Sequence, residues 1–243
     1  MTKRLRVTYR PLPAAEIADV AVIIDVLRAT TTALAALEAG ALHVEAVDDV
    51  EQARARRMRG MVIAGERGGL RIDGFDHGNS PLELAADTVK GRALALCTTN
   101  GSRALRLCRA GVVFAGSIRN AAATAAAVAA AAPDGAFVAL QGSGQDAEPT
   151  EEDAIAAGAI LAALDTRDGI AVDADAPAAA VRTAWARAQG DAAAALLATP
   201  HGAYLAGLGV AGDVRYAAEL DASPHAVRVA AGVLTLERRP ARD

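Results

Sequence analysis

Aromatic residues make up only 3% of this 243-residue chain, and Cys97 and Cys108 are the only cysteines. Neither cysteine has CxxC spacing, which argues against a disulfide framework or a zinc knuckle. Lysine is also scarce: Lys3 and Lys90 stand against 23 arginines, within a net charge of −4. With no basic run and no aromatic platform, nucleic acid is a poor candidate partner. No long apolar stretch is present. The alanine-rich run Ala121 to Ala132 ends at Pro133, well short of the ~20 apolar residues that a bilayer requires. The opening residues MTKRLRVTYRPLP carry no apolar h-region, so a cytoplasmic protein is expected.

What is plentiful is alanine, 64 residues, about half of the apolar set. Short β-branched runs alternate with alanine-rich helical stretches, the pattern of an α/β fold. We expect a three-layer α/β/α sandwich around a mostly parallel or mixed sheet. The expected strands are Arg4–Tyr9, Val20–Asp25, Leu42–Val47, Met61–Ala64, Ala93–Cys97, Val112–Ala115 and Ala136–Leu140. The expected helices include Thr30–Glu38, Asp49–Met58, Ser102–Cys108, Asn120–Ala131 and Glu151–Leu164, then about three more between Pro177 and Leu220. Ala226–Leu236 reads as a hairpin. No repeat or linker divides the chain, so residues 1–243 are read as one unit whose segment 177–243 is a candidate cap or second lobe.

Ligands of open α/β sheets sit at strand carboxyl ends, and here those ends are unusually polar. After the second strand come Asp25, Arg28, Thr30 and Thr31; after the fourth, Glu66, Arg67 and Gly68, then a long loop with Asn79 and Ser80 before Pro81. The fifth strand leads to Cys97-Thr98-Thr99-Asn100-Gly101-Ser102-Arg103. Successive N–H groups there are expected to form an anion nest. Gly116-Ser117-Ile118-Arg119-Asn120 follows the sixth strand, and Gln141 to Gln145 follows the seventh, before the acidic helix start Glu151-Glu152-Asp153. Taken singly, each cluster reads equally well as helix capping. Together they suggest a pocket for a small, multiply charged anion with a hard cation held by oxygen ligands, since the four histidines lack metal spacing. Hydrolysis of a phosphate ester is the simplest reaction for such a pocket. Two alternatives remain open. Cys97 and Arg103 form the C-x5-R spacing of cysteine phosphatases, and the same loops would serve a non-catalytic anion-binding module.

The strings IIDVLRATTT, GERGG, GFDHGNSPLE, TTNGSRAL and SIRNA, in that order, closely resemble the 2-phosphosulfolactate phosphatase (ComB) family. The resemblance runs from about Val20 to Leu164 and continues more weakly through Thr199-Pro200-His201-Gly202 and Gly212-Asp213-Val214. It implies an α/β/α magnesium-dependent phosphatase that converts 2-phospho-3-sulfolactate, or a related 2-phosphocarboxylate, to 3-sulfolactate and phosphate, as in coenzyme M biosynthesis. Carried over, it places Asp25, Arg28, Thr30, Thr31, Glu66, Arg67, Gly68, Asn79, Ser80, Thr98, Thr99, Asn100 and Gly101 at the site. The family's acidic helix start matches Glu152-Asp153, and we read Asp25, Glu66 and Asp153 as catalytic candidates. Asp25, Glu152 and Asp153 are the candidate Mg2+ ligands, and Arg28, Arg67 and Arg103 the anion clamps. The segment Gln141 to Thr150 departs from the family pattern. The expected partner is a small multiply anionic phosphate ester, with neither nucleic acid nor membrane, and the modest apolar content is compatible with a homodimer.

Overall fold

The computed structural model describes residues 2–11, 17–144 and 148–237. Gln145, at the end of the polar stretch after the seventh expected strand, lies outside the described residues. In chain order the elements are β1 Lys3–Pro11, β2 Ala18–Ile24, α1 Ala29–Glu38, β3 Val44–Val47, α2 Val50–Arg57, β4 Val62–Arg67, β5 Leu70–Arg71, α3 Ala86–Val89 and β6 Leu94–Cys97. Then follow α4 Gly101–Leu107, β7 Ala110–Gly116, α5 Ala121–Ala131, β8 Phe137–Gly142, α6 Glu151–Asp165, β9 Ile170–Ala174 and α7 Ala176–Ala188. The chain continues with α8 Ala192–Ala198, α9 Pro200–Gly207, α10 Ala211–Ala217, β10 Val227–Ala230 and β11 Val233–Leu236.

All of these strands join one mixed, mostly parallel sheet in the order β5-β4-β6-β3-β11-β10-β7-β2-β8-β1-β9. β4, β6 and β3 run parallel to one another, and so do β7, β2, β8, β1 and β9. The hairpin β10–β11 sits between these two sets and pairs antiparallel on both sides. Three antiparallel steps therefore separate β7 from β3, so in the ladder the two sets point in opposite directions.

Strand periodicity explains the layers. Leu94 and Leu96 of β6 face one side with Val62 and Ala64 of β4, while Ala95 and Cys97 face the other with Ile63 and α2. Val20, Val22 and Ile24 of β2 pack with α5, α6 and α7, whereas Ile23 faces the core that holds α1 and α4. Helix α1 is buried at every position from Ala29 to Leu37 and touches strands of both sets. A helix apolar on all sides belongs inside a core, and its small side chains let strands approach from several directions. The five strand-to-strand steps from β6 to β2 turn the sheet by about 100–125° at roughly 20–25° each. The sheet thus curls around α1, and carboxyl ends of oppositely directed strands meet at its N-terminus.

The region after α7 divides into two parts. Helices α8, α9 and α10 pack on one another, with α10 also against the short 3-10 turn Pro81–Glu83, while the hairpin 227–236 is built into the centre of the sheet. Among the described residues no helix is long and apolar enough to cross a membrane.

Candidate active site

The N-terminus of α1 opens into a cavity of about 400 Å3, within the roughly 300–1,000 Å3 common for ligand sites. Its walls come from the ends of β2, β4, β6 and β8, from the start of α6, and from α9.

Asp25 follows β2 and is 7% exposed. Its Oδ1 accepts from the Ala29 N–H at 3.1 Å, and its Oδ2 has no donor among the described residues. Position 101 must be glycine here, because a Cβ would lie 2.3 Å from Asp25 Oδ2 and 2.4 Å from Ala29 Cβ. Asp153, in the first turn of α6, is held on both oxygens. Its Oδ1 accepts from Val26 N at 2.9 Å, and its Oδ2 accepts from Ser143 N and Oγ, each at 3.0 Å. Glu152 beside it is 5% exposed, lines the cavity and has no donor among the described residues. Burial pushes the Asp25 carboxyl up to about 6, against opposition from the Ala29 N–H. Burial, then the nearby Asp25, pushes Asp153 up to about 8.

Glu66 has a different part. Its Oε1 accepts from Thr99 N at 2.9 Å and Thr99 Oγ1 at 3.1 Å, and its Oε2 accepts from Gly69 N at 2.9 Å. It ties the Thr98–Asn100 loop to the Gly68-Gly69 turn, and both oxygens are occupied. The N–H of Thr98 likewise goes to Ser102 Oγ at 3.0 Å. The expected anion nest is therefore reduced, since two of its N–H groups point inward to protein acceptors.

Asp25, Arg28, Glu66, Gly68, Asn79, Thr98, Thr99, Asn100, Glu152 and Asp153 all line the cavity. The remaining expected residues lie behind the wall or outside it. Thr30 is buried beneath the site, with Oγ1 at 2.9 Å from Asp25 O and 2.8 Å from Gly116 O, and Thr31 Oγ1 donates to Val26 O at 2.8 Å. Ser80 Oγ donates to Asp213 Oδ1 at 2.6 Å. Gly101 underlies the Asp25 carboxylate.

The anion-clamp reading of Arg67 and Arg103 is corrected. Neighbours on a strand point to opposite faces, so Glu66 in the cavity wall sends Arg67 away from it. Arg67 is exposed and donates to Glu66 O, Asp48 O and Cys97 Sγ. Arg103 is exposed on α4, next to the fully buried Ser102, and lines no part of the cavity. Cys97 is fully buried in the core under α2, its thiol pushed up by burial, so neither half of the C-x5-R pair reaches the cavity. Arg119 is likewise structural: its guanidinium lies 3.6 Å over the Tyr216 ring and bonds to Glu219 and Tyr216 O.

Pro200, His201 and Tyr204 of α9 and Asp213 of α10 carry no role in the sequence reading, although Pro200, His201 and Asp213 fall in the two strings of weaker family resemblance. Tyr204 Oη donates to Gly68 O at 2.9 Å, and the His201 and Tyr204 rings stack 6.1 Å apart. Asp213 is 2% exposed and bonds Arg28 Nη1 at 2.6 Å, while Arg28 Nη2 donates to Gly69 O at 2.8 Å.

The walls thus carry four carboxylates, Asp25, Glu66, Glu152 and Asp153, against Arg28 and His201. Arg28 is already matched by Asp213. Among the described residues no three His, Cys, Asp or Glu side chains converge closely enough to hold a metal ion as they stand. The donor chemistry nevertheless suits a hard cation, because Asp25, Glu152 and Asp153 are all oxygen ligands and two of them carry oxygens without donors.

The sequence matches the profile of the family described as 2-phosphosulpholactate phosphatase over residues 7–231. It is 41% identical over 226 residues to a Deinococcus radiodurans protein named probable 2-phosphosulfolactate phosphatase, covering 90% of each chain. A Parasynechococcus marenigrum protein of the same name is 38% identical over 203 residues, 82% of this chain and 83% of that one. A Gloeobacter violaceus protein, again so named, is 37% identical over 222 residues, 89% and 91% of the two chains.

Proposed function

The chain belongs to the 2-phosphosulfolactate phosphatase family, and from that premise we propose that it is a phosphoric monoester hydrolase that converts 2-phospho-3-sulfolactate, or a related 2-phosphocarboxylate, to the 2-hydroxy acid and phosphate. The Mg2+ requirement and the step of coenzyme M biosynthesis are parts of this proposal. The observation that carries it is the arrangement of Asp25. One of its oxygens is fixed by the Ala29 N–H while the other is without a donor at the cavity wall, beside Glu152 and a rigidly held Asp153.

A polyanionic ester entering a cavity of net negative lining needs added positive charge. Asp25, Glu152 and Asp153 are the residues that would hold Mg2+, which when bound supplies charge neutralisation for phosphoryl oxygens. The protein's own contribution is positional. Ser143 and Val26 fix Asp153, Glu66 fixes the Thr98–Asn100 loop, and Gly101 leaves room for Asp25 to present Oδ2 to water or to phosphorus. Arg28 lines the cavity with its guanidinium held by Asp213 and Gly69 O, so its charge is already matched within the protein.

The test is phosphate release from 2-phospho-3-sulfolactate and a panel of 2-phosphocarboxylates, with Mg2+ and with excess chelator. Turnover that chelation abolishes and that Asp25→Asn lacks is the expected result. Full activity in chelator, or in Asp25→Asn, would overturn the reading.

A further inference from the structure

One wall of the cavity is unlike the others. Helix α9 contributes Pro200, His201 and Tyr204, and of these His201 alone is a basic side chain. Neither ring nitrogen of His201 has a hydrogen-bond partner among the described residues, although its ring is held by stacking on Tyr204. Tyr204 is itself anchored through its hydroxyl to Gly68 O. Helix α9 is also seated firmly on that turn. A Cβ at Gly69 would lie 2.7 Å from Leu208 Cδ1 and 3.5 Å from Tyr204 Cε1, so the bare glycine backbone is what lets the helix approach.

The charges of the cavity set His201 apart. Arg28 is paired with Asp213, and Arg67 and Arg103 lie outside. Among the described residues that leaves His201 as the basic group of the lining without a carboxylate at hydrogen-bond distance. The carboxylate wall accounts for the phosphoryl end of the ligand. It offers nothing to a second acidic group, which the four carboxylates of the lining would repel.

We propose that His201 contacts the second acidic group of the substrate, its sulfonate or carboxylate, and that helix α9 thereby sets the enzyme's preference for phosphate esters of acids over those of neutral alcohols. The inference rests on the phosphatase reading above. An imidazole N–H donates to the acid's oxygens, and stacking on Tyr204 holds the ring, so the group is oriented before the ligand arrives. Glycerol 2-phosphate has the same three-carbon frame and ester position with hydroxyls in place of the acids, so it lacks the group that His201 contacts.

The experiment compares 2-phospho-3-sulfolactate, 2-phospholactate and glycerol 2-phosphate on wild type, His201→Gln and His201→Lys, with thermal melts to verify folding. His201→Gln is expected to lower kcat/KM for the two acids by about 10- to 100-fold, through KM, the loss of one charge-assisted hydrogen bond. Its rate on glycerol 2-phosphate should stay within about threefold of wild type, the span of measurement and small packing changes. His201→Lys, which restores the charge, should recover part of the loss on the acids alone. Equal loss on all three esters through kcat would place His201 in the chemistry and overturn the inference, as would no loss on any. Either result leaves the phosphatase reading intact, whereas a wild type inactive on every ester overturns both.

Discussion

Removing the Asp213 carboxylate should be among the most destabilising changes in the molecule. Asp213 sits on α10 and is 2% exposed, and its partner Arg28 is 5% exposed at the start of α1. Its two oxygens are used by Arg28 Nη1 and Ser80 Oγ, both at 2.6 Å. In Asp213→Ala the guanidinium stays buried without its counter-ion, a situation that costs about 3–5 kcal/mol. Ser80 loses an acceptor as well, adding about 1 kcal/mol. At about 2–4 °C per kcal/mol for a chain of this size, the melting temperature should fall by roughly 8–24 °C. Urea denaturation in excess chelator reads the change without interference from bound cations. Asp213→Asn keeps one acceptor, for Arg28, and turns an amide N–H toward Ser80 Oγ, which can accept it, so it should lose less than half as much. In the double variant Arg28→Met with Asp213→Ala no orphaned charge remains, so it should be more stable than Asp213→Ala alone. A loss below about 1 kcal/mol for Asp213→Ala would refute the reasoning, because it would mean that Arg28 does not depend on this carboxylate.

Gly101→Ala should abolish phosphate release, because its Cβ would fall 2.3 Å from Asp25 Oδ2; a variant with wild-type kcat would sink that account. Stability of the chelator-treated protein should decline as pH rises from about 4 to about 8. Asp25, held up to about 6, and Asp153, held up to about 8, keep protons in the folded state that the unfolded chain has released. The fall, read from melting temperatures at pH 5 and 8, should be smaller in Asp153→Asn, and equal falls would contradict the assignment. Cys97→Ser should keep its activity within about twofold, and thiol alkylation of the folded protein should do little, since the thiol is buried away from the cavity. Thiol-dependent inactivation at the wild-type rate of turnover would reinstate the cysteine reading.

Strand periodicity made much of the sheet legible. Val20–Asp25, Met61–Ala64 and Ala136–Leu140 carry β-branched or alternating apolar residues between polar ends, and each overlaps a strand by all but a residue. β9, Ile170–Ala174, escaped because alternate residues are exposed and aspartate and alanine break the β-branched run. The hairpin was legible as a hairpin, but pairing partners are not written locally. Only the register of β10 on β7 and of β11 on β3 shows that it stands between two oppositely directed sets. Asp25, Glu66, Thr98 and Thr99, which line the cavity, are conspicuous in the sequence because they are polar residues at the ends of apolar runs. Polarity alone does not separate Glu66 from Arg67, where alternation across one peptide sends one side chain to the cavity and the other to the surface. His201 and Asp213 were invisible as site residues for the opposite reason. They lie in short helices far along the chain, away from any strand end, and only tertiary packing of α9 and α10 against the Gly68-Gly69 turn and Ser80 brings them in.

The string IIDVLRATTT looks like a chemical motif, yet most of its residues do mechanical duty. Thr30, Thr31 and Thr32 point their hydroxyls at backbone carbonyls of Asp25, Val26 and Asn79, and none lines the cavity. A helix buried on all sides must satisfy its polar atoms internally, and short hydroxyl side chains do so without bulk. These bonds fasten the start of α1 to the end of β2 and to the loop bearing Asn79 and Ser80. The same segment carries Asp25 and Arg28, so the packing that permits oppositely directed strands to meet also fixes the two charged groups that line the site. Alanine abundance belongs to this arrangement: Ala29, Ala33 and Ala36 of α1 are fully buried, and larger residues there would push the two halves of the sheet apart. The carboxylates of one half and the Thr98–Asn100 loop of the other would then no longer share a cavity.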